Sequence, residues 1–276
     1  MWWGLVRLSR TACWRRRRAL ALARTTDYPR AVPPVDTAVV LAAGRGARLG
    51  ALTATTPKPL LAVAGRPIVV RVLSGLARAG VRRAVVVTGY RAEQVERVLG
   101  DGGAFGLTVA YCRQPTPDGT ARALLLGEAA LEADTIVVCW GDVLVPPAFY
   151  AELLAAYAAR PCDALLAANA VDDPWRGAAL YVDDAWRVTR LEEKPPRGTS
   201  TTVWNNAGIM VVRRLIFAYA RRLLPSPRGE YELPEAIANM IRDGRAVRAL
   251  PVRGAWADIG TPEDLAAVQH LFAGEP

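Results

Sequence analysis

The chain has 276 residues, 52% hydrophobic and 22% charged, the balance of a globular protein with a sizeable core rather than of a disordered one. No apolar run reaches the length of a membrane span, because Asp142 and Glu152 interrupt the longest candidate, Thr135 to Ala159. Four scattered cysteines without CxxC spacing and a single histidine, His270, argue against a disulfide framework, a zinc cluster and a His-based catalytic triad.

The formal net charge is +9, but residues 1–30 carry eight arginines and one acid, so +7 belongs to this leader and only +2 to the rest. A nearly neutral body speaks against nucleic acid as the main partner. The leader lacks a signal peptide's order of charge, apolar stretch and cleavage site. Residues 1–34 read as a poorly ordered basic extension or a start placed too early, with a surface anchor or an Arg-rich targeting segment as alternatives. Residues 35–276 are expected to form the folded body of the protein, cytoplasmic and without stable membrane insertion. A symmetric homo-oligomer is the default.

After Pro33-Pro34 the pattern alternates. A buried strand over Ala38–Ala42 leads into a Gly/Arg loop, followed by a helix over Pro67–Ala79 that Gly80 closes. Strand Ala84–Val87, helix Ala92–Leu99, strand Leu107–Cys112, helix Thr120–Leu131, strand Thr135–Cys139 and helix Pro147–Ala159 come next. This spacing predicts an α/β, Rossmann-like fold with a mostly parallel sheet and helices on both faces. The second half is richer in strands: Ala164–Ala170, then Ala178–Val182 and Val188–Leu191 joined by the turn signal Asp183-Asp184-Ala185, then Gly208–Val212. Helices near Leu215–Leu224 and Tyr231–Arg242, strand Ala246–Val252 and a helix from Pro262 complete the chain. The strand-rich part reads as an insertion over the carboxyl end of the sheet, where such folds bind ligands.

Two features single out candidate chemistry. Gly44-Arg45-Gly46-Ala47-Arg48-Leu49-Gly50 follows the first strand, and its glycines would let backbone N–H groups approach a phosphate. It is neither a P-loop, having no lysine, nor a dinucleotide fingerprint, its third glycine being one position late. The second feature is lysine usage. Only Lys58 and Lys194 stand against 33 arginines, each in a Pro-flanked segment, where a compact ammonium can act as a point charge on a phosphate oxygen. On local sequence alone, Asp142 and Asp258 read equally as turn residues, Glu193 as solvated surface, Gln114 as a loop hydrogen-bonder and Gly177 as a plain turn.

Taken together, five ordered segments resemble the sugar-1-phosphate nucleotidyltransferase family over about Asp36 to Leu271. Leu41-Ala42-Ala43-Gly44-Arg45-Gly46-Ala47-Arg48-Leu49, with Pro57-Lys58-Pro59-Leu60 and Gly65-Arg66-Pro67-Ile68, is similar to the family's L-A-G-G-x-G-T-R-L, P-K-P-L and G-K-P-I. Ala47 and Ala51 depart from the usual Thr and Pro, and Ala47 lacks the hydroxyl that the family's Thr would offer near the triphosphate. Gln114-Pro115-Thr116-Pro117-Asp118-Gly119 resembles the base-recognition segment. Trp140-Gly141-Asp142 resembles the G-D metal pair, Glu193-Lys194-Pro195 with Asn206-Ala207-Gly208 the sugar segment, and Trp256-Ala257-Asp258-Ile259-Gly260-Thr261-Pro262-Glu263-Asp264 the second metal segment.

The resemblance implies a nucleotide-diphospho-sugar transferase fold, with a nucleoside triphosphate and a sugar 1-phosphate as substrates and Mg²⁺ as cofactor. It places Leu41, Ala43, Gly44, Gly46, Gln114 and Gly119 on the nucleotide, and Gly177, Glu193 and Asn206 on the sugar. Asp142 and Asp258 would hold the metal. Arg48 would hold the departing phosphates, Lys58 the α-phosphate and Lys194 the sugar phosphate. The Gln-Pro-x-Pro-Asp-Gly run is closest to glucose-1-phosphate thymidylyltransferases, so dTTP or UTP leads. A GTP-dependent mannose-1-phosphate enzyme, a phosphocholine-type acceptor and a non-catalytic regulatory relative are the alternatives. With about twelve residues after Asp264, a C-terminal β-helix is not expected.

Overall fold

The computed structural model describes residues 34–273, so the expected basic leader, apart from Pro34, lies outside the described residues. Strands β1 (Thr37–Ala42), β2 (Arg83–Thr88), β3 (Thr108–Arg113) and β4 (Thr135–Trp140) lie parallel in the order β4-β1-β2-β3. Strand β1 is buried along its whole length and β2 everywhere except Arg83. Strands covered on both faces read as continuous apolar runs rather than as alternation.

The connecting helices are α1 (Ile68–Arg78), α2 (Ala92–Leu99), α3 (Thr120–Gly127) and α4 (Pro147–Ala159). Helix α3 packs on β1, β2 and β3, and α1 packs on α4. Helix α4 buries Phe149, Tyr150, Leu153 and Tyr157, one stripe at helical spacing whose side chains each contribute about 1.5–3 kcal/mol of burial. The α1–α4 contact depends on Gly75, where a Cβ would lie 2.5 Å from a Tyr150 ring carbon. Helix α3 ends earlier than its apolar pattern suggests. The chain tightens into a 3₁₀ turn over Glu128–Ala130.

The second half adds β5 (Ala164–Ala170), β6 (Ala178–Val182), β7 (Val188–Glu193), β8 (Trp204–Arg213) and β9 (Val247–Pro251), with helices α5 (Ile216–Arg221), α6 (Leu233–Arg242) and α7 (Pro262–Leu271). These strands continue the central sheet, which reaches nine strands along β7-β6-β8-β4-β1-β2-β3, with β5 pairing β8 and β9. At the expected turn between β6 and β7, Asp183 Oδ1 accepts the N–H groups of Ala185 and Arg187.

Strand β8 sets the site. Its Ile209–Arg213 half pairs antiparallel with β4, whereas Asn205 pairs with Ala179 of β6. The change of neighbour falls at Ala207-Gly208, where Gly208 has φ +78° and the Trp140 ring packs against it, a combination that a side chain at 208 would obstruct. The strand begins at Trp204, four residues before the expected start. The split between β4 and β6 opens a cleft at the carboxyl end of the parallel strands, the ligand position of open α/β sheets. Among the described residues no helix is long and apolar enough to cross a membrane.

Candidate active site

Two loops and the β8 fork converge on this cleft. The loop after β1 turns at Gly46, whose carbonyl accepts the Leu49 N–H (2.9 Å) and the Thr53 hydroxyl (3.0 Å). A Cβ on Gly46 would come within 3.0 Å of Lys58 Cβ, so the Gly/Arg loop rests on the lysine stem. Lys58 is almost fully buried, and its Nζ lies 2.5 Å from Asp142 Oδ2 and 3.5 Å from Asp258 Oδ1. Burial alone would lower this ammonium's pKa, but the Asp142 and Asp258 carboxylates outweigh it and the net shift is upward. Burial and the neighbouring Asp142 carboxylate push Asp258 upward, against the pull of Lys58 and Arg48.

The two aspartates, far apart in sequence, are joined by a short ribbon. Ala257-Asp258 pairs antiparallel with Val143-Leu144. Gly141 donates its N–H to Leu41 O (2.8 Å), which fixes the Asp142 turn against the end of β1. Beyond Asp258, helix α7 opens with a capping box in which Thr261 Oγ1 accepts the Asp264 N–H, while Asp264 Oδ2 accepts the N–H groups of Gly260 and Thr261. Asp264 is therefore committed to the backbone, and Arg48 lies against Gly260.

The far wall is built from β6, β7 and β8. Asn205 is buried, with its Oδ1 accepting the Ala178 N–H (3.0 Å) and its Nδ2 donating to Asn169 Oδ1 (3.0 Å) and Asn206 O (3.0 Å). Gly177 packs directly on this amide, since a Cβ there would lie 2.1 Å from Asn205 Oδ1. Lys194 adopts φ +45°, a left-handed conformation unfavourable for a lysine, and its N–H donates to Gly177 O (2.7 Å). Its Nζ lies 3.7 Å from Glu193 Oε1. Burial and the nearby Glu232 carboxyl raise Glu193 to about 7, opposed by Lys194 and Arg228.

Arg48, Lys58, Asp142, Gly177, Glu193, Lys194, Asn206 and Asp258 line one cavity of about 410 Å³, within the range of small-molecule sites. Leu41, Ala43, Gly44, Gly46, Gln114 and Gly119 do not line it. The glycine loop and the Gln114 segment lie instead at the ends of β1 and β3. Gln114 Nε2 donates to Asp118 Oδ1 (2.9 Å) and Gly119 O (3.1 Å), an internal knot in place of an outward-facing amide.

Among the cavity-side residues given no role from the sequence are Arg228, Glu230, Glu232 and Trp256. Glu230, Glu232 and Trp256 line the cavity; Arg228 is ion-paired to Glu193 (3.6 Å), Glu230 (3.9 Å) and Glu232. The charge-dense Arg228-Gly229-Glu230-Tyr231-Glu232 run preceding α6 was the available signal. Trp256 donates its indole N–H to Ala207 O (3.0 Å), tying the Asp258 segment to the β8 fork.

Residues 37–273 match the family described as Nucleotidyl transferase. The chain belongs to that family. Glucose-1-phosphate thymidylyltransferase of Neisseria meningitidis is 33% identical over 229 residues, covering 82% of this chain and 79% of the relative. A UTP–glucose-1-phosphate uridylyltransferase of Haloferax volcanii is 33% identical over 231 residues, covering 82% and 92%. A solved UDP-glucose pyrophosphorylase complexed with UDP-glucose superposes with a TM-score of 0.78 at 18% identity over 88% of this chain and all of that one, a likeness of fold.

The Asp142–Asp258 pair of this nucleotidyltransferase suits a hard divalent cation. Two carboxylates from different segments already converge on one positive group, and Mg²⁺ usually takes one or two carboxylates together with substrate phosphates. Among the described residues no set of three or more His, Cys, Asp or Glu side chains forms a complete cage, so further ligands would come from substrate and water.

Proposed function

We propose that this nucleotidyltransferase joins dTTP or UTP to a sugar 1-phosphate, releasing pyrophosphate and using Mg²⁺ held by Asp142 and Asp258. The observation that carries the reading is the convergence of Arg48, Lys58 and Lys194 with that carboxylate pair around one cavity at the carboxyl ends of the parallel strands. The similarity to relatives named for thymidylyl and uridylyl transfer to glucose 1-phosphate supports the choice of substrates.

In this reading a sugar-phosphate oxygen attacks the α-phosphorus, a new P–O bond forms, and the bond to the pyrophosphate oxygen breaks in line. No general base is required, because the nucleophile is already an anion. Lys194 and Lys58 bring the two anions together, Lys194 on the sugar phosphate and Lys58 on the α-phosphate, while Arg48 holds the departing phosphates. Bound Mg²⁺ supplies charge neutralisation on the transferring phosphates. Glu193 and Asn206 accept and donate hydrogen bonds at the sugar, and Gly177, packed on the Asn205 amide, forms the wall beside them. The Gly44–Gly46 loop and the Gln114–Gly119 segment take the nucleotide.

The test is a grid of five nucleoside triphosphates against glucose-, mannose-, galactose- and N-acetylglucosamine-1-phosphate, following pyrophosphate release. Turnover with dTTP or UTP and one sugar phosphate is expected. Release with GTP and mannose 1-phosphate alone would overturn the choice of base and sugar. No release from folded protein would overturn the reaction.

A further inference from the structure

Lys58 occupies the place where a divalent cation would be held. Its ammonium sits between the Asp142 and Asp258 carboxylates at 2.5 and 3.5 Å, and its side chain is only 8% exposed. The two acids and the lysine carry a combined charge of −1, and a second cation entering among them would feel the ammonium at a few ångströms. Repulsion at that distance is comparable to the attraction of one carboxylate.

From this geometry we infer that Lys58 is a built-in countercation: it keeps the Asp142–Asp258 pair closed to a free divalent ion until a substrate phosphate draws the ammonium away. A phosphate offers Lys58 a new anionic partner and brings the oxygen ligands that the two-carboxylate set lacks. Metal and phosphate then favour one another through a single side chain, and the coupling is reciprocal. Without the exchange, the free protein would bind metal with its own carboxylates and hold Lys58 unpaired in a buried position, a costly arrangement. The inference rests on the reading of Asp142 and Asp258 as the metal site.

The experiment measures Mn²⁺ binding to the full chain without nucleotide, by electron paramagnetic resonance of free Mn²⁺, for the wild type, Lys58→Met, Lys58→Arg and Lys58→Met/Asp258→Asn. The expected result is Mn²⁺ affinity about tenfold or more higher in Lys58→Met, no gain in Lys58→Arg, and loss of the gain in the double variant. Near-UV circular dichroism checks that each variant is folded. A second measurement needs no variant. The sequence has only two lysines, so side-chain NMR with ¹⁵N-lysine resolves Lys58 from Lys194, and millimolar Mg²⁺ alone is expected to leave the Lys58 signal in place. Equal Mn²⁺ affinity in wild type and folded Lys58→Met, or displacement of the Lys58 signal by Mg²⁺ alone, would overturn the inference. If Asp142→Asn abolishes Mg²⁺-dependent turnover while Lys58→Met gains no affinity, the metal site stands and the countercation role fails.

Discussion

Replacing Gly177 with alanine tests the architecture of the cleft wall built from β6, β7 and β8. The added Cβ would lie 2.1 Å from Asn205 Oδ1 and 3.0 Å from its Cγ, closer than any real contact. The amide cannot simply swing away, because it is buried and bonded to Ala178 N, Asn169 Oδ1 and Asn206 O. Displacing it strands at least one buried partner, at about 1–3 kcal/mol for each group left unsatisfied. A loss of about 2 kcal/mol corresponds to a fall in Tm of roughly 4–8 °C for a domain of this size. The assay is thermal unfolding of Gly177→Ala, of Asn205→Ala and of the double variant. In the Asn205→Ala background the clash is gone, so Gly177→Ala should cost under about 0.5 kcal/mol, a strong departure from additivity. A Tm within about 1 °C of wild type for the single variant, or an equal cost in both backgrounds, would refute the reasoning.

Two further substitutions separate stability from function. Glu193 sits at about 7 against an ordinary 4.5, so between those pH values the folded chain binds more protons than the unfolded one and stability falls as pH rises. Glu193→Gln should remove that slope and melt higher than wild type at pH 8, by at most roughly 3 kcal/mol, while its sugar-phosphate KM rises; a variant destabilised equally at pH 5 and pH 8 would count against the burial argument. Lys194→Gly relieves a left-handed backbone at φ +45° and removes a charge. Stability should be unchanged or raised by up to about 1 kcal/mol, with a sugar-1-phosphate KM at least about tenfold higher and the nucleotide KM unchanged. An equal rise in both KM values would remove Lys194 from the sugar phosphate.

Elements whose signals are local were legible in the sequence. Helices Ala92–Leu99 and Pro147–Ala159 and strand Ala164–Ala170 run to their expected bounds, each marked by a terminal Gly or Pro or by a continuous apolar stretch. Strand β8 was shortened because Asn205 and Asn206 are polar by composition and buried in fact. The Asn205 amide is satisfied by Ala178 of β6, Asn169 of β5 and the Asn206 carbonyl, and Asn206 Oδ1 accepts the Gly208 N–H, a largely long-range solution that no local pattern reveals. The fork at Gly208 was hidden for the same reason, and with it the continuity of the second half with the central sheet. His270 is exposed, as a lone helix histidine usually is. At the site, Arg48, Lys58, Asp142, Lys194 and Asp258 were singled out by segment resemblance, whereas the Lys58–Asp142 and Lys58–Asp258 ion pairs depend on the ribbon that joins Val143–Leu144 to Ala257–Asp258. Arg228, Glu230 and Glu232 were passed over because a charged run before a helix normally reads as solvated loop.

The most direct test of the central claim is pyrophosphate release by wild type, Asp142→Asn and Asp258→Asn with the substrate pair that the grid selects, over a range of Mg²⁺ concentrations. Both substitutions are nearly isosteric and keep the ribbon. Asp142→Asn is expected to melt lower than wild type because the buried Lys58 loses its nearer carboxylate, and unfolding curves check that each variant is folded at the assay temperature. If the carboxylate pair supports nucleotidyl transfer, each variant loses turnover by about a hundredfold or more, with the remaining activity needing higher Mg²⁺. Wild-type turnover and unchanged Mg²⁺ dependence in either variant would contradict the assignment of this cleft as the active site.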